Sequence, residues 1–210
     1  MSGQLLGLFV TRVYQATLPA RTLRSLNPEL EAACLATAAD DAAGQRWCRR
    51  HGYPGYTSHA SLDDLPWRYP AFARLATLLD RHVAAYARQL EWDLGGRRLT
   101  LDSLWINVLP PGGFHSGHLH PLSAVSGTYY VTMPPGAAAL RFEDPRSAHL
   151  MAAPPRKARA RQDQRPFVYL TAKPGELLLW ESWLRHEVPL NGGEAERISV
   201  SFNYRWGSGP

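Results

Sequence analysis

The strongest constraint on the fold is a change of sequence pattern after Gly96. From there on, short apolar or alternating runs follow one another, separated by turns rich in proline and glycine. The runs are Leu99–Leu109, Val125–Met133, Ala138–Phe142, Pro166–Thr171, Glu176–Trp180 and Ile198–Trp206. Many short strands with regular punctuation are typical of a double-sheet barrel or jelly roll. We therefore predict a mainly β fold with flanking α-helices, a cupin-like jelly roll whose core spans residues 97–210.

The first 96 residues have a more helical pattern. Leu5–Tyr14 alternates and is predicted as a strand, and Asn27-Pro28 is predicted to cap a helix and open its first turn. Gly52–Asp64 is predicted as a loop, and Pro70–Trp92 has apolar residues every three or four positions, as an amphipathic helix does. No linker separates this part from the barrel. We expect residues 1–96 to pack on the barrel as a strand and helices, in a single domain of residues 1–210.

Composition narrows the function classes. The 210 residues include 23 basic and 18 acidic side chains, for a net charge of +5. This charge is dispersed over most of the chain, which argues against nucleic-acid binding. No run is long and apolar enough for a membrane helix, and no secretory signal is apparent. Two cysteines, Cys34 and Cys48, are too few for a disulfide framework, so we expect a cytoplasmic protein. The seven tryptophans leave room for an aromatic patch at a homodimer interface.

One dense basic cluster interrupts that dispersed charge. Arg156–Arg161 carries four cations, and Arg165 follows before the next strand. Because Pro154-Pro155 precedes it, we predict a long loop here. The simplest interpretation is a solvated loop. The functional alternative is a loop that guides an acidic substrate or polymer to the rim of the barrel.

The histidines carry the clearest chemical signal. In an extended strand, His118 and His120 point to the same face, because the side-chain period is two. A third ligand from a distant strand would complete a metal site, and His186 is the best candidate. An isolated His-X-His pair is more often structural. Here, Arg197 follows His186 by eleven residues, and Ser199 lies on the same face two residues later.

The pattern resembles the 2-oxoglutarate- and iron(II)-dependent oxygenases, and more closely an uncharacterised bacterial and phage branch of that superfamily. The matching segments include W-I-N-V, H-S-G-H-L-H-P-L-S-A-V-S-G-T-Y-Y-V, L-R-F-E-D-P, P-G-E-L-L-L-W-E-S-W-L-R-H-E-V and E-R-I-S-V-S-F-N-Y-R-W, which begin at Trp105, His115, Leu140, Pro174 and Glu196. The resemblance covers nearly the whole back half of the chain. It implies a double-stranded β-helix, with iron(II) on one rim and 2-oxoglutarate chelating the iron.

The resemblance also implies roles for the residues around the metal. In that superfamily a basic residue about ten positions beyond the last metal histidine binds the far carboxylate of the cosubstrate, and Arg197 matches it. A guanidinium holds a carboxylate with two parallel hydrogen bonds. Ser199 would add a hydroxyl, Tyr129 or Tyr130 a phenol, and Asn107 an amide.

The chain departs from the superfamily pattern at one position. The usual iron site has two histidines and one carboxylate, but His120 stands where the carboxylate is expected. Three ligand sets are open: His118, His120 and His186 together; a set completed by a carboxylate; or a set in which His115 replaces one of the pair. The candidate carboxylates are Glu143, Asp144 and Glu187. We favour the three-histidine set, which zinc also accepts.

The resemblance implies an Fe(II)- and 2-oxoglutarate-dependent oxygenase that uses O2. It would convert 2-oxoglutarate to succinate and hydroxylate a C–H bond of a substrate that the sequence does not identify. Two alternatives remain. One is a three-histidine enzyme that works without 2-oxoglutarate, such as a thiol dioxygenase or a zinc hydrolase. The other is a non-catalytic metal-binding jelly roll.

Overall fold

The computed structural model describes residues 2–207. The described strands are β1 (Val13–Thr17), β2 (Tyr56–Thr57), β3 (Leu99–Leu109), β4 (His115–His118), β5 (Val125–Thr132), β6 (Leu140–Glu143), β7 (Phe167–Leu170), β8 (Glu176–Glu181), β9 (His186–Val188) and β10 (Arg197–Trp206). The α-helices are α1 (Ala20–Asp40), α2 (Ala42–Arg50), α3 (Leu65–Arg68) and α4 (Pro70–Gln89). Two short 3₁₀ helices, Ser147–His149 and Gln162–Gln164, lie in the connection from β6 to β7.

The strands form two antiparallel sheets. The larger sheet has the order β1-β8-β5-β10-β3-β2, and the smaller has the order β4-β9-β6-β7. From β3 to β10, consecutive strands alternate between the two sheets, as they do in a double-stranded β-helix, except that β6 and β7 pair with each other in the smaller sheet. The predicted mainly β jelly-roll fold is confirmed.

Strand β10 separates the core from the interior of the barrel. Its residues alternate between apolar and polar side chains from Arg197 to Tyr204. One set, Ile198, Val200, Phe202 and Tyr204, belongs to the core under the helices. The other set points into the barrel, where Arg197, Ser199 and Ser201 line a pocket. Because strand side chains alternate between faces, a single strand builds both surfaces.

Helices α1 and α4 cover the outer face of the larger sheet. Along α4, the apolar residues recur at helical spacing and are fully buried at Phe72, Leu75, Leu79 and Val83. They share one apolar cluster with β3, β5, β8 and β10. A second, smaller cluster fills part of the space between the sheets and includes Trp180. The predicted helix therefore exists, but it ends at Gln89, six residues before the Gly95-Gly96 pair.

Two expectations for the front half are wrong. Residues 5–12 are not a strand, because the partner strand β8 ends at Glu181 and pairs only from Val13 onward. Helix α1 begins at Ala20, so Pro28 lies inside it rather than in its first turn. Asn27 is not a cap: its Nδ2 donates to the Val131 carbonyl at 2.8 Å and ties the helix to β5.

Within residues 2–207, none of the helices combines the length and the hydropathy required to cross a bilayer.

Candidate metal centre and its pocket

Three histidines converge at one end of the barrel. His118 ends β4 and pairs across the ladder with His186, which opens β9. His120 follows two residues later, and its backbone N–H donates to the Ser182 carbonyl at 3.0 Å. One ring nitrogen of each histidine lies within 4.8 Å of those of the other two. This spacing can close on a single metal ion, so the structure brings the three predicted ligands together.

Backbone carbonyls orient two of the rings. Nδ1 of His118 lies 2.7 Å from the Ser116 carbonyl, and Nδ1 of His186 lies 2.9 Å from the Leu184 carbonyl. A carbonyl only accepts, so each Nδ1 carries the proton and each Nε2 keeps its lone pair. Nε2 of His120 is buried and has no hydrogen-bond partner. His118 and His186 thus present an unprotonated Nε2, as metal coordination requires.

Burial keeps these imidazoles neutral. Loss of hydration lowers the pKa of His186 to about 2 and of His120 to about 4, and the neighbouring histidines depress both pKa values further. Burial also lowers the pKa of His118. A neutral imidazole is the form that binds a metal, so the cluster is ready for coordination at neutral pH.

A fourth histidine lies beside the cluster. The His115 ring stacks on His118, with centroids 4.3 Å apart, and meets the edge of Tyr53 at 5.4 Å. Burial, followed by its histidine neighbours, lowers the pKa of His115 to about 3. His115 lines the pocket but is outside the group of three that meets at 4.8 Å.

The three candidate carboxylates all have arginine partners. The ion pairs are Glu143–Arg185 at 3.0 Å, Asp144–Arg146 at 2.8 Å and Glu187–Arg141 at 2.7 Å. None of these acids lines the pocket or joins the histidine group within residues 2–207. The geometry therefore favours the all-histidine ligand set, and Glu143 is not brought to the site.

Arg197 lies deeper in the same pocket and is only 1% exposed. Its Nη1 donates to Ser199 Oγ at 3.1 Å, and its Nε donates to the Ala138 carbonyl at 3.3 Å. Its Nη2 has no partner, and no described acid influences its pKa, which burial lowers. A buried cation without a counter-charge is costly, so an anion bound in this pocket would stabilise it.

Two tyrosines accompany Arg197. The guanidinium carbon lies 5.2 Å from the centre of the Tyr130 ring, and the Tyr130 hydroxyl is buried without a partner. Burial raises the pKa of Tyr130 to about 12. The Tyr53 hydroxyl is also buried and unpartnered, and Arg197 partly offsets the rise that burial causes in its pKa. Tyr53 was not expected from the sequence, where it is one tyrosine of a loop without a motif.

The adjacent tyrosines face opposite ways. Tyr129 belongs to the core under the helices, and its hydroxyl donates to Asn27 Oδ1 at 2.5 Å. The structure therefore does not bring Tyr129 to the pocket, whereas Tyr130 lies beside Arg197. Asn107 does line the pocket: its Nδ2 donates to Ser201 Oγ at 3.0 Å, and its Oδ1 is buried without a partner.

Two tryptophans pack against the histidine rings. Trp180 is 1% exposed, and its ring meets the edge of His186 at 4.6 Å. The Trp105 ring lies nearly parallel to His120 at 5.7 Å. A dry, aromatic wall strengthens electrostatic interactions inside the pocket.

Comparison with known proteins agrees with this geometry. A family model described as "Putative 2OG-Fe(II) oxygenase" matches residues 103–203, from β3 through most of β10. That range contains the three histidines, His115 and Arg197. The search of curated proteins returned no match.

Several solved structures share the fold at low sequence identity. A prolyl-4-hydroxylase from Pseudomonas putida has 20% identity and a TM-score of 0.55, with 93% of this chain and 92% of that chain covered. HygX from Streptomyces hygroscopicus, solved with nickel, 2-oxoglutarate and hygromycin B, has 18% identity and a TM-score of 0.58, with 93% and 83% covered. EctD from S. alaskensis, solved with 2-oxoglutarate and 5-hydroxyectoine, has 18% identity and a TM-score of 0.61, with 93% and 72% covered. At these identities the likeness establishes the fold.

Proposed function

We propose that this chain, whose residues 103–203 match the family model described as "Putative 2OG-Fe(II) oxygenase", binds iron(II) through His118, His120 and His186 and 2-oxoglutarate through Arg197. When bound, iron(II) with O2 supplies oxidative decarboxylation of 2-oxoglutarate to succinate, coupled to hydroxylation of a C–H bond. The protein would thus be a hydroxylase. Its own residues would bind, orient and desolvate the reactants.

The observation that carries this proposal is the buried, uncompensated Arg197. Its free Nη2 and the unpartnered Tyr130 hydroxyl are two donors without acceptors in a closed space. The far carboxylate of 2-oxoglutarate would satisfy both and neutralise the charge. Ser199 Oγ accepts a hydrogen bond from Arg197 Nη1, which orients the guanidinium group before the anion binds.

The all-histidine ligand set fits a dianionic cosubstrate. Three neutral imidazoles leave both positive charges of a divalent ion uncompensated, whereas a carboxylate ligand would offset one of them. A dianion that chelates the ion is therefore held more strongly by charge in this pocket. Trp105 and Trp180 pack against His120 and His186 and would limit the access of water, which would preserve that attraction.

A titration of 2-oxoglutarate into the iron(II)-loaded protein without oxygen tests the proposal. We expect a visible metal-to-ligand charge-transfer band that saturates with 2-oxoglutarate, and succinate once oxygen is admitted. Arg197→Lys keeps the charge but loses the planar fork, and should weaken 2-oxoglutarate about tenfold. Arg205→Lys, an exposed arginine paired with Asp102, is the matched control. Absence of the band in iron-loaded native protein would refute the proposal.

A second candidate is a three-histidine metal enzyme that needs no 2-oxoglutarate. The lack of a carboxylate ligand is the observation that favours it, since zinc accepts such a set readily. It predicts retained zinc, no charge-transfer band and a function indifferent to Arg197→Lys. It does not explain why Arg197 is buried without a counter-charge, which is why we rank it second.

We also propose that the protein works in the cytoplasm on a small-molecule substrate. Both cysteines, Cys34 and Cys48, are buried free thiols, which suits a reducing compartment. Fractionation of cells that produce the protein tests the location: recovery outside the cytoplasmic fraction would contradict it.

A further inference from the structure

The basic cluster noted in the sequence lies in the long connection from β6 to β7, residues 144–166, here called the cationic loop. It contains six arginines and lysines and two aspartates. Its net charge of +4 is therefore most of the +5 of the whole chain. Both aspartates are already paired within the loop, Asp144 with Arg146 and Asp163 with Arg161. The excess positive charge is thus concentrated on exposed side chains of one segment.

The topology brings this loop to the rim on which the metal would sit. On β6, Phe142 pairs with His186, so the strand ends one residue beyond a proposed ligand. On β7, Phe167 pairs with Glu143, so the chain re-enters the sheet at the same level. The Asp144 N–H donates to the Pro166 carbonyl at 2.8 Å and closes the base of the loop.

The base of the loop is also fastened to the ligand strand. Glu143 accepts from Arg185, the residue before His186, at 3.0 Å, and the Glu143 N–H donates to the Arg185 carbonyl at 3.0 Å. The loop therefore leaves the barrel at a fixed point beside the histidines, while residues 151–159 are fully exposed.

The charge of the pocket points the same way. Iron(II) and Arg197 would bring three positive charges, and 2-oxoglutarate would bring two negative ones. The histidine in place of a carboxylate thus leaves one positive charge at the reaction centre. Within the described residues, no acid lines the pocket to cancel it.

Resting on the proposed function, we infer that the substrate is a small molecule bearing an oxyanion, phosphate or carboxylate, which the cationic loop binds at the rim. Arg156, Lys157 and Arg159 are exposed, have no ion-pair partner among residues 2–207 and would contact it. A neutral substrate would make no use of this charge, and an anionic one would complete the neutralisation of the site.

Binding of matched anionic and neutral probes to protein loaded with cobalt(II) and 2-oxoglutarate tests this inference. The probes are phenyl phosphate, benzoate and the uncharged benzyl alcohol, with binding followed by calorimetry. We expect at least one anion to bind more tightly than benzyl alcohol, with an affinity that falls as salt is added. Comparison of phenyl phosphate with benzoate identifies the preferred oxyanion.

The decisive variant is the triple substitution Arg156→Gln, Lys157→Gln and Arg159→Gln. Three exposed charges together should change anion affinity about tenfold, and benzyl alcohol binding should not change. The matched control replaces three exposed arginines of α2 by glutamine, namely Arg46, Arg49 and Arg50. Helix α2 contacts β2, and none of these three arginines lines the pocket.

The outcomes separate this inference from the proposed function. If anions bind no better than benzyl alcohol, or the loop triple and the α2 triple behave alike, the inference is wrong even where the 2-oxoglutarate band is intact. If the triple loses only the binding of a single-stranded oligonucleotide, the loop serves a polymer and the inference is equally wrong. Failure of the proposed function would instead appear as a missing band in native iron-loaded protein.

Discussion

Removal of the metal should make the folded protein sensitive to acid, because its histidines are buried in neutral form. Burial lowers the pKa of His186 to about 2, of His115 to about 3 and of His120 to about 4. In the unfolded chain each titrates near ~6.5. As the pH falls below that value, the histidines of the unfolded state bind protons, whereas those of the folded state stay neutral. The free energy of unfolding is therefore greatest above it and declines toward the folded pKa values.

The size of the loss follows from these shifts. A histidine that stays neutral in the fold lowers the free energy of unfolding by about 2 kcal/mol between about pH 8 and about pH 5. His186 is 5% exposed and should contribute this in full. His115 and His120 are partly exposed, so solvent screening reduces each to about 1 kcal/mol. The sum of about 4 kcal/mol is a large part of a typical total of about 5–15 kcal/mol.

Urea unfolding followed by tryptophan fluorescence, with a chelator present, measures this loss at both pH values. His186→Gln removes one titrating group, so its stability should depend on pH by about 2 kcal/mol less than that of the native protein. His149→Gln, at an exposed position in the connection from β6 to β7, is the matched control. Equal pH dependence in the native protein and His186→Gln would refute the reasoning. Added zinc should protect the native protein, because a bound metal occupies the lone pairs that protons would take.

Three further substitutions probe the two faces of β5. In Gly127→Ala the new Cβ would lie 2.5 Å from ring carbons of buried Phe202, so urea unfolding should report a loss of about 1–3 kcal/mol; an unchanged midpoint would contradict the packing. Asn27→Ala strands the Tyr129 hydroxyl and a β5 carbonyl, and should lower the free energy of unfolding by about 1–3 kcal/mol in the same assay. Tyr130→Phe should weaken 2-oxoglutarate in the charge-transfer titration several-fold, while Tyr129→Phe should not; equal effects would disprove the assignment of faces.

Most of the fold could be predicted because the back half follows the strand period closely. The predicted bounds of β3, Leu99–Leu109, agree with the structure. The short strands β4 and β9 were not predicted as separate elements, since β4 contains a glycine and β9 has only three residues. They hold together by pairing with each other, and that information lies outside any local window.

The site was predictable where spacing carries it and not where tertiary contact does. The alternation that points Arg197 and Ser199 into the pocket is local. His120 lies beyond the end of β4, so its position beside His118 depends instead on contacts such as the hydrogen bond from its N–H to the Ser182 carbonyl. The position of Tyr53 depends on how a front-half loop docks against the barrel, which no local pattern records. The sequence does contain a signal for which tyrosine faces the barrel interior. Ser126 and Thr128 are polar and lie on the same face of β5 as Tyr130, whereas Tyr129 lies on the opposite face.

Partners of charged residues were likewise beyond the sequence. Glu187 directly follows His186, whereas Glu143 and Asp144 lie far along the chain from the three histidines, and each was a candidate ligand. Cross-strand register decides otherwise for two of them, because it sets Arg141 directly opposite Glu187 and brings Arg185 to Glu143. Register is a property of the assembled sheet.

One face of β10 lines the core and the other lines the pocket. An error in the register of this strand would therefore disrupt the core and the pocket together. A slip of one residue would drive Arg197 into hydrocarbon and push Ile198 into the cavity in the same movement. Variants that shift the register of this strand should therefore separate into two populations, competent or collapsed, with few intermediates between them. A simple screen for expressed, non-aggregating protein would then already enrich for intact anion-binding pockets.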